Sequence, residues 1–237
     1  VTTNFKDSFL PLMFSYDNKL LYVASNLGRD KIAVYTFDPD ANKTRDLVFE
    51  HPDVDVASLI SSKKRKVITG VVYTTDKSRY HFFDKDRKKL QDTLEKFFPG
   101  YEVAVTGMDD DERRATVRVY GDRTRGGSYL FDRQSNSLTK LADHSPWLKE
   151  TEMAPMEPIQ YTSRDGLTIH GYLTLPLGVA SRDLPLVVIP HGGPSARDEW
   201  GFDSEAQFLA NRGAAVLQVN FRGSTGYGKK FWQAGFK

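Results

Sequence analysis

The sequence contains no cysteine. Disulfides and thiolate-bound metals are therefore excluded, and the redox compartment stays open. No apolar run approaches the ~18 residues that would argue for a membrane span. The chain starts at Val1 with neither a methionine nor a signal-peptide pattern, so a cytoplasmic and a periplasmic or secreted location both stay open. An excess of one charge is also missing. The 33 basic and 31 acidic residues leave a formal +2, which gives no reason to expect nucleic acid or an anionic membrane as a partner. Histidine is sparse: His51, His81, His144 and His170 lie scattered in strands and turns. None of them has metal-ligand spacing, so neither a metal nor a cofactor is expected.

What is present suits two domains. The chain has 237 residues, 39% of them hydrophobic and 12% aromatic, enough for a sizeable core and in keeping with strand-rich structure. Residues 1–148 read as short strands between polar turns, with one short turn of helix around Leu90 to Phe98. A strand following a charged turn recurs at Lys19–Val23, Lys66–Val71 and Arg114–Val119, in steps of 47 and 48 residues. A second marker, an aromatic strand ending in Phe-Asp, recurs at Phe37-Asp38, Phe83-Asp84 and Phe131-Asp132, in steps of 46 and 48. A period of ~40–50 residues with about four strands per unit is the signature of β-propeller blades. The alternative is an irregular β-sandwich with evenly spaced turns. Propellers close with ~4–8 blades, so the remaining blades are expected before Val1, or another chain must cover the open flank. The basic runs Lys63-Lys64-Arg65-Lys66 and Lys85 to Lys89 read as solvated blade turns rather than nucleic-acid patches.

The pattern changes after Pro146. Lys149 to Pro158 has two prolines, two methionines and no period, and reads as a linker between a first domain (1–148) and a second (159–237). Glu157–Thr162 and Leu167–Leu175 flank Ser163-Arg164-Asp165-Gly166, an antiparallel hairpin signal. Leu184–Pro190 is continuously apolar, as in a parallel strand buried on both faces. A helix follows over Ser204–Arg212, capped by Asp203 or Ser204 and stopped by Gly213; then come a buried strand at Ala214–Val219 and a helix opening over Tyr227–Phe236. Hairpin, strand, helix, strand and helix open an α/β domain.

His191-Gly192-Gly193-Pro194 follows the apolar strand directly. Glycines there let backbone N–H groups approach a ligand, as in the HGGG-type loops that supply an oxyanion-hole donor. A plain Gly-Gly-Pro turn is the alternative. Asn220-Phe221-Arg222-Gly223-Ser224-Thr225-Gly226-Tyr227-Gly228 follows the next strand. HGGP, the intervening helix and NFRGSTGYG together resemble the prolyl oligopeptidase family of serine peptidases, most closely its acylaminoacyl peptidase and dipeptidyl peptidase branches. The likeness is specific over about Leu184–Trp232 and weaker over the first half.

The resemblance implies a propeller that caps an α/β-hydrolase domain and admits short peptides, and acyl transfer to an active-site serine followed by hydrolysis. It maps an oxyanion-hole N–H onto Gly193, with Gly192 or a tyrosine hydroxyl as the alternative donor. Pro194 is expected to restrain Gly193 toward extended geometry, His191 to shape the loop, and Arg222 to anchor its loop or join a buried ion pair. The departure is that no G-x-S-x-G elbow occurs in the sequence. Ser224 has the wrong spacing and reads as a loop residue, so the catalytic Ser, Asp and His are expected beyond Lys237 and this chain alone is expected to be inactive. A carboxylesterase, and a non-catalytic binding protein with a degenerate hydrolase domain, are the competing readings.

Overall fold

In the computed structural model, residues 4–236 are described. They divide into two compact units. One holds the chain up to Lys85 together with Gly192–Arg197 and the segment from Phe221 onward; the other holds Asp86–His191 and Asp198–Asn220.

The first unit contains two antiparallel meanders. One has four strands in sequential order, β1 (Phe9–Phe14), β2 (Leu21–Ser25), β3 (Ala33–Asp38) and β4 (Lys43–Phe49); the other has three, β5 (Ser58–Ser62), β6 (Val67–Thr74) and β7 (Ser78–Phe82). Val34, Val56 and Val71 form their buried centre, with Leu12, Phe49 and Tyr73 packed against it. The second unit opens with helix α1 (Lys85–Phe97), followed by a third meander of β8 (Glu102–Met108), β9 (Arg114–Tyr120), β10 (Gly127–Asp132) and β11 (Ser137–Asp143). The three recurring strands foreseen after charged turns are β2, β6 and β9, each the second strand of its sheet. The turns repeat as well. Asn18, Lys66 and Glu112, at φ 60°, 54° and 54°, occupy the left-handed region in the first hairpin of each sheet. Asn42 and Asn136, at 49° and 51°, do so in the last hairpin of the four-stranded ones. Antiparallel four-stranded sheets with this recurrence are consistent with propeller blades.

Three expectations need correction. The helical stretch is not a short turn but the 13 residues of α1, so the basic run Lys85 to Lys89 lies on a helix rather than in a blade turn. Its apolar stripe is only two residues wide, Leu90 and Leu94, which hid it among charges; both are buried against Val103, Val117, Val119 and Phe131. The Phe-Asp marker holds at two sites and fails at the third. Phe37 and Phe131 are buried on β3 and β10, whereas Phe83 falls one residue past β7 and is 42% exposed.

The third correction concerns the α/β part. Hairpin β12 (Met156–Thr162) and β13 (Thr168–Thr174) turns at Gly166, φ 87°. Strand β12 thus begins inside the stretch read as a linker, and a single 3-10 turn at Glu150–Glu152 precedes it. The sheet order is β12-β13-β15-β14, with β14 (Leu186–Pro190) parallel to β15 (Ala215–Asn220) and β15 antiparallel to β13. Strand β15 is central and buried, as its composition suggests. Strand β14 is not buried on both faces: it is an edge strand, and Leu186 and Val188 are 56% and 52% exposed. Helix α2 (Ser204–Ala210) packs near β15; the Asp203 carboxylate accepts the Ala206 N–H at 2.7 Å as its cap. Gln207 on α2 is buried and binds both backbone groups of Ala154, donating at 2.7 Å and accepting at 2.8 Å.

Because Leu94 is fully buried, Leu94→Ala should cost about 2–5 kcal/mol of stability, read as a lower urea midpoint. An unchanged midpoint would mean that α1 is not part of the core.

Candidate active-site loops

Strand β14 delivers the chain to His191 and the two glycines. His191 is half-buried, and Gly192 to Ser195 are exposed. Gly193 has φ 130°, and a Cβ added there would lie 2.8 Å from the Ser195 nitrogen, so only glycine suits this position. Pro194 follows through a cis peptide bond. Nothing lies within 4 Å of a Cβ built on Gly192. Past Pro194 the loop is tied to the later segment: the Thr225 N–H donates to Ala196 O at 2.9 Å, and the Trp232 indole N–H to Ser195 Oγ at 2.9 Å.

The second loop leaves β15 at Asn220 and turns through Phe221–Gly228 into helix α3 (Lys229–Gln233). Ser224 is fully buried and its hydroxyl donates to Phe221 O at 2.6 Å, a structural part in keeping with a loop residue. Arg222 is half-buried. Arg197 stacks its guanidinium 4.5 Å from the centre of the Tyr227 ring and donates to the Tyr227 hydroxyl at 2.9 Å and to Thr75 O at 3.0 Å. A Cβ on Gly226 (φ 90°) would stand 2.7 Å from Arg197 Nη1, so the glycine makes room for this stack.

The strongest hold on the second loop comes from the turns of the meander sheets. Asp55, between β4 and β5, accepts the Ile32 N–H at 2.7 Å and the Gly228 N–H at 3.2 Å, while its own N–H donates to Gly226 O at 2.9 Å. Asp30 accepts the Lys230 N–H on its carboxylate at 2.6 Å and the Lys229 N–H on its carbonyl at 2.9 Å. Lys31 donates to Tyr227 O at 2.5 Å, and Lys229 pairs with Asp7 at 2.6 Å. Burial pushes the Asp55 carboxyl above its ordinary range, against the pull of its two N–H donors. Burial works the same way on Asp30, but there the Lys230 N–H and the Lys31 ammonium outweigh it and hold the carboxyl low. Among the described residues, no group of three or more His, Cys, Asp or Glu could hold a metal ion.

Comparison with known proteins shows what this chain is similar to. Residues 200–237 match the model of the prolyl oligopeptidase family. Dipeptidyl aminopeptidase BIII of Pseudoxanthomonas mexicana is 35% identical over 92% of this chain and 32% of its own length. Dipeptidyl peptidase family member 6 of Caenorhabditis elegans is 25% identical over 95% of this chain and 33% of its own. The chain thus spans about a third of the length of these curated relatives. A solved puromycin-hydrolyzing peptidase of Mycobacterium tuberculosis shares the fold, with a TM-score of 0.70 at 19% identity over 97% of this chain and 36% of that one. The stretch matched by the prolyl oligopeptidase model takes in α2, β15, α3 and the Arg222–Gly228 loop.

Sequence reasoning missed Asp30, Lys31, Asp55 and Arg197. The first three sit in polar turns of the first half, where nothing marks a carboxylate that serves a loop some 200 residues away. Arg197 lies three residues past Pro194, and its partner Tyr227 was in view only as part of a motif.

The two carboxylates should show opposite pH signatures. Asp55→Ala leaves the part-buried Ile32 and Gly228 N–H groups without that acceptor, at a cost of about 1–3 kcal/mol. Its folded pKa is raised, so its contribution is full below the ordinary carboxylate value of ~3.9 and is lost as pH rises through the folded value. Asp30→Ala should behave inversely: its lowered carboxyl contributes above that value, and the contribution is lost as pH falls. Unfolding free energies of both variants across acidic to neutral pH check this; parallel curves would contradict it.

Proposed function

We propose that this chain is part of a serine peptidase that hydrolyses short peptides through an acyl-enzyme intermediate. In this reading, residues 1–148 are the C-terminal part of a β-propeller, 149–158 a linker, and 159–237 the N-terminal part of the α/β-hydrolase domain. The observation that carries it is Gly193: exposed, directly beyond a parallel strand, and held at φ 130° where a Cβ would collide with Ser195. A tetrahedral intermediate places negative charge on the former carbonyl oxygen, and an N–H fixed in a rigid loop stabilises that charge without reorganising. Gly193 is the donor on this reading. Gly192 is the alternative, although nothing crowds its Cβ position. His191 and Pro194 shape the loop. Arg222 anchors the second loop, and Arg197 stacked on Tyr227 holds the two loops together.

The sequence has no G-x-S-x-G, so on this reading the nucleophile and its partners are supplied by parts of the parent protein outside these residues. The exposed apolar edge of β14 supports the same view, since a parallel strand normally carries a neighbour and cover on both faces. The substrate class, a short peptide, rests on the peptidase relatives; no cofactor, nucleic acid or membrane is invoked.

Two results test the proposal. A protein of residues 1–237 should remain unlabelled by a fluorophosphonate probe, and stoichiometric labelling of any serine here would sink the reading. In the parent enzyme bound to a peptide boronate or phosphonate, the inhibitor oxygen should lie about 2.7–3.1 Å from the Gly193 nitrogen. An oxygen held by Gly192 or by a tyrosine hydroxyl instead would reassign the donor.

A further inference from the structure

The three residues after Pro194 are each held by a different residue of the segment beyond β15, within the one unit that contains both stretches. Ser195 Oγ accepts the Trp232 indole N–H at 2.9 Å, Ala196 O accepts the Thr225 N–H at 2.9 Å, and the Arg197 guanidinium stacks 4.5 Å from the centre of the Tyr227 ring. The first of these ties lies nearest to Gly193. A Cβ on Gly193 would stand 2.8 Å from the Ser195 nitrogen and 3.2 Å from the Ala196 nitrogen, so the φ of 130° at Gly193 goes with where Ser195 and Ala196 sit. The Ala196 N–H donates to Pro194 O at 2.9 Å, which makes the turn tight. A displacement of Ser195 therefore reaches Gly193 through one intervening residue.

Trp232 can serve as an anchor because its own place is fixed. It lies on α3, where its backbone N–H donates to Gly228 O at 3.1 Å, and the Lys229 and Lys230 N–H groups in the first turn go to Asp30. Its neighbour Phe231 is buried, packs its ring 5.1 Å from that of Tyr227, and accepts the Gly223 N–H on its carbonyl at 3.1 Å. The Trp232 ring itself meets Phe236 edge-on, with centroids 4.6 Å apart. A donor already held by packing and backbone bonds loses little freedom in making one bond more. Ser195 is exposed, and its hydroxyl turns freely until a partner takes it. The ordering influence therefore runs from Trp232 to Ser195, and from there to Gly193.

We propose that Trp232 is a positioning residue for the Gly193 N–H: through Ser195 it holds the loop in the orientation that meets the charge of the tetrahedral intermediate. This role rests on Gly193 being the oxyanion donor. Such a donor is effective because it is aimed before the charge develops, and small misplacements at a reacting centre lower the rate. Trp232 acts through Ser195 and not on the reacting atoms, so its effect falls on the transition state rather than on substrate binding.

Two measurements test it. In the ¹⁵N-labelled 237-residue chain, Ser195→Ala should move the Trp232 indole proton resonance upfield and leave those of Trp147 and Trp200 in place. ¹⁵N relaxation at Gly193 should report greater motion in Ser195→Ala and in Trp232→Phe, which keeps a ring beside Phe236 and removes only the indole N–H. In the parent enzyme, each of these variants should lower kcat about three- to tenfold with KM unchanged, and should weaken a peptide boronate by the same factor. The double variant should lose no more than either single one, and Ser195→Thr, which keeps the hydroxyl, should restore the rate. An unmoved indole resonance, an unchanged kcat, a loss expressed in KM, or losses that multiply in the double variant would overturn the proposal. The NMR result does not depend on which group binds the oxyanion, whereas a boronate oxygen held away from Gly193 would overturn the reading beneath it.

Discussion

Asp55 ties together parts of the chain that lie far apart in sequence. Its carboxylate closes the Ile32 turn and receives the Gly228 N–H, and its backbone N–H reaches Gly226 O. Asp30 repeats the device two residues further along, on Lys230. These are backbone-directed bonds: they specify where the loop runs, whatever side chains it carries. With the loop placed, Tyr227 can present its ring to Arg197, and Arg197 can reach the carbonyls of Thr74 and Thr75. Through the Arg197–Tyr227 stack, the segment after the glycines thus meets a loop to which these two carboxylates are bonded.

Such an arrangement carries a cost that suits its place. Asp55 is a carboxylate that burial disfavours, and left-handed Lys66 and Glu112 and the glycine-only Gly193 each hold a backbone conformation that most side chains avoid. The meander cores around Val34, Val56 and Val71 and around Leu94 and Val117 supply the apolar burial against which such local costs are set. Where apolar cover is missing, at Leu186 and Val188 on the β14 edge, the exposed residues are those of a strand type that other proteins bury.

Much of the fold was legible in the sequence because strands and hairpins leave local marks. Asp165-Gly166 announced its turn, and the recurrence of β2, β6 and β9 could be read from spacing alone. Helix α1 was less visible because its two buried leucines sit in a run of charge, and period analysis sees stripes rather than pairs. Burial was misjudged at β14 because composition reports what a strand is suited to, not whether a neighbour is there. At the site, the glycines and the NFRGSTGYG loop stood out as motifs. The carboxylates that hold them did not, since Asp30 and Asp55 look like any polar turn residue until the chain is folded.

The most direct test of this account is amide hydrogen exchange at Gly228 and Lys230 in the wild-type chain and in Asp55→Ala and Asp30→Ala. If the turn carboxylates hold the loop, Gly228 should exchange about tenfold faster or more in Asp55→Ala, and Lys230 likewise in Asp30→Ala. The amides of β15, from Val216 to Val219, should keep their protection in both variants. Unchanged protection at Gly228 and Lys230 would show that the loop keeps its course without the carboxylates, and would contradict the account.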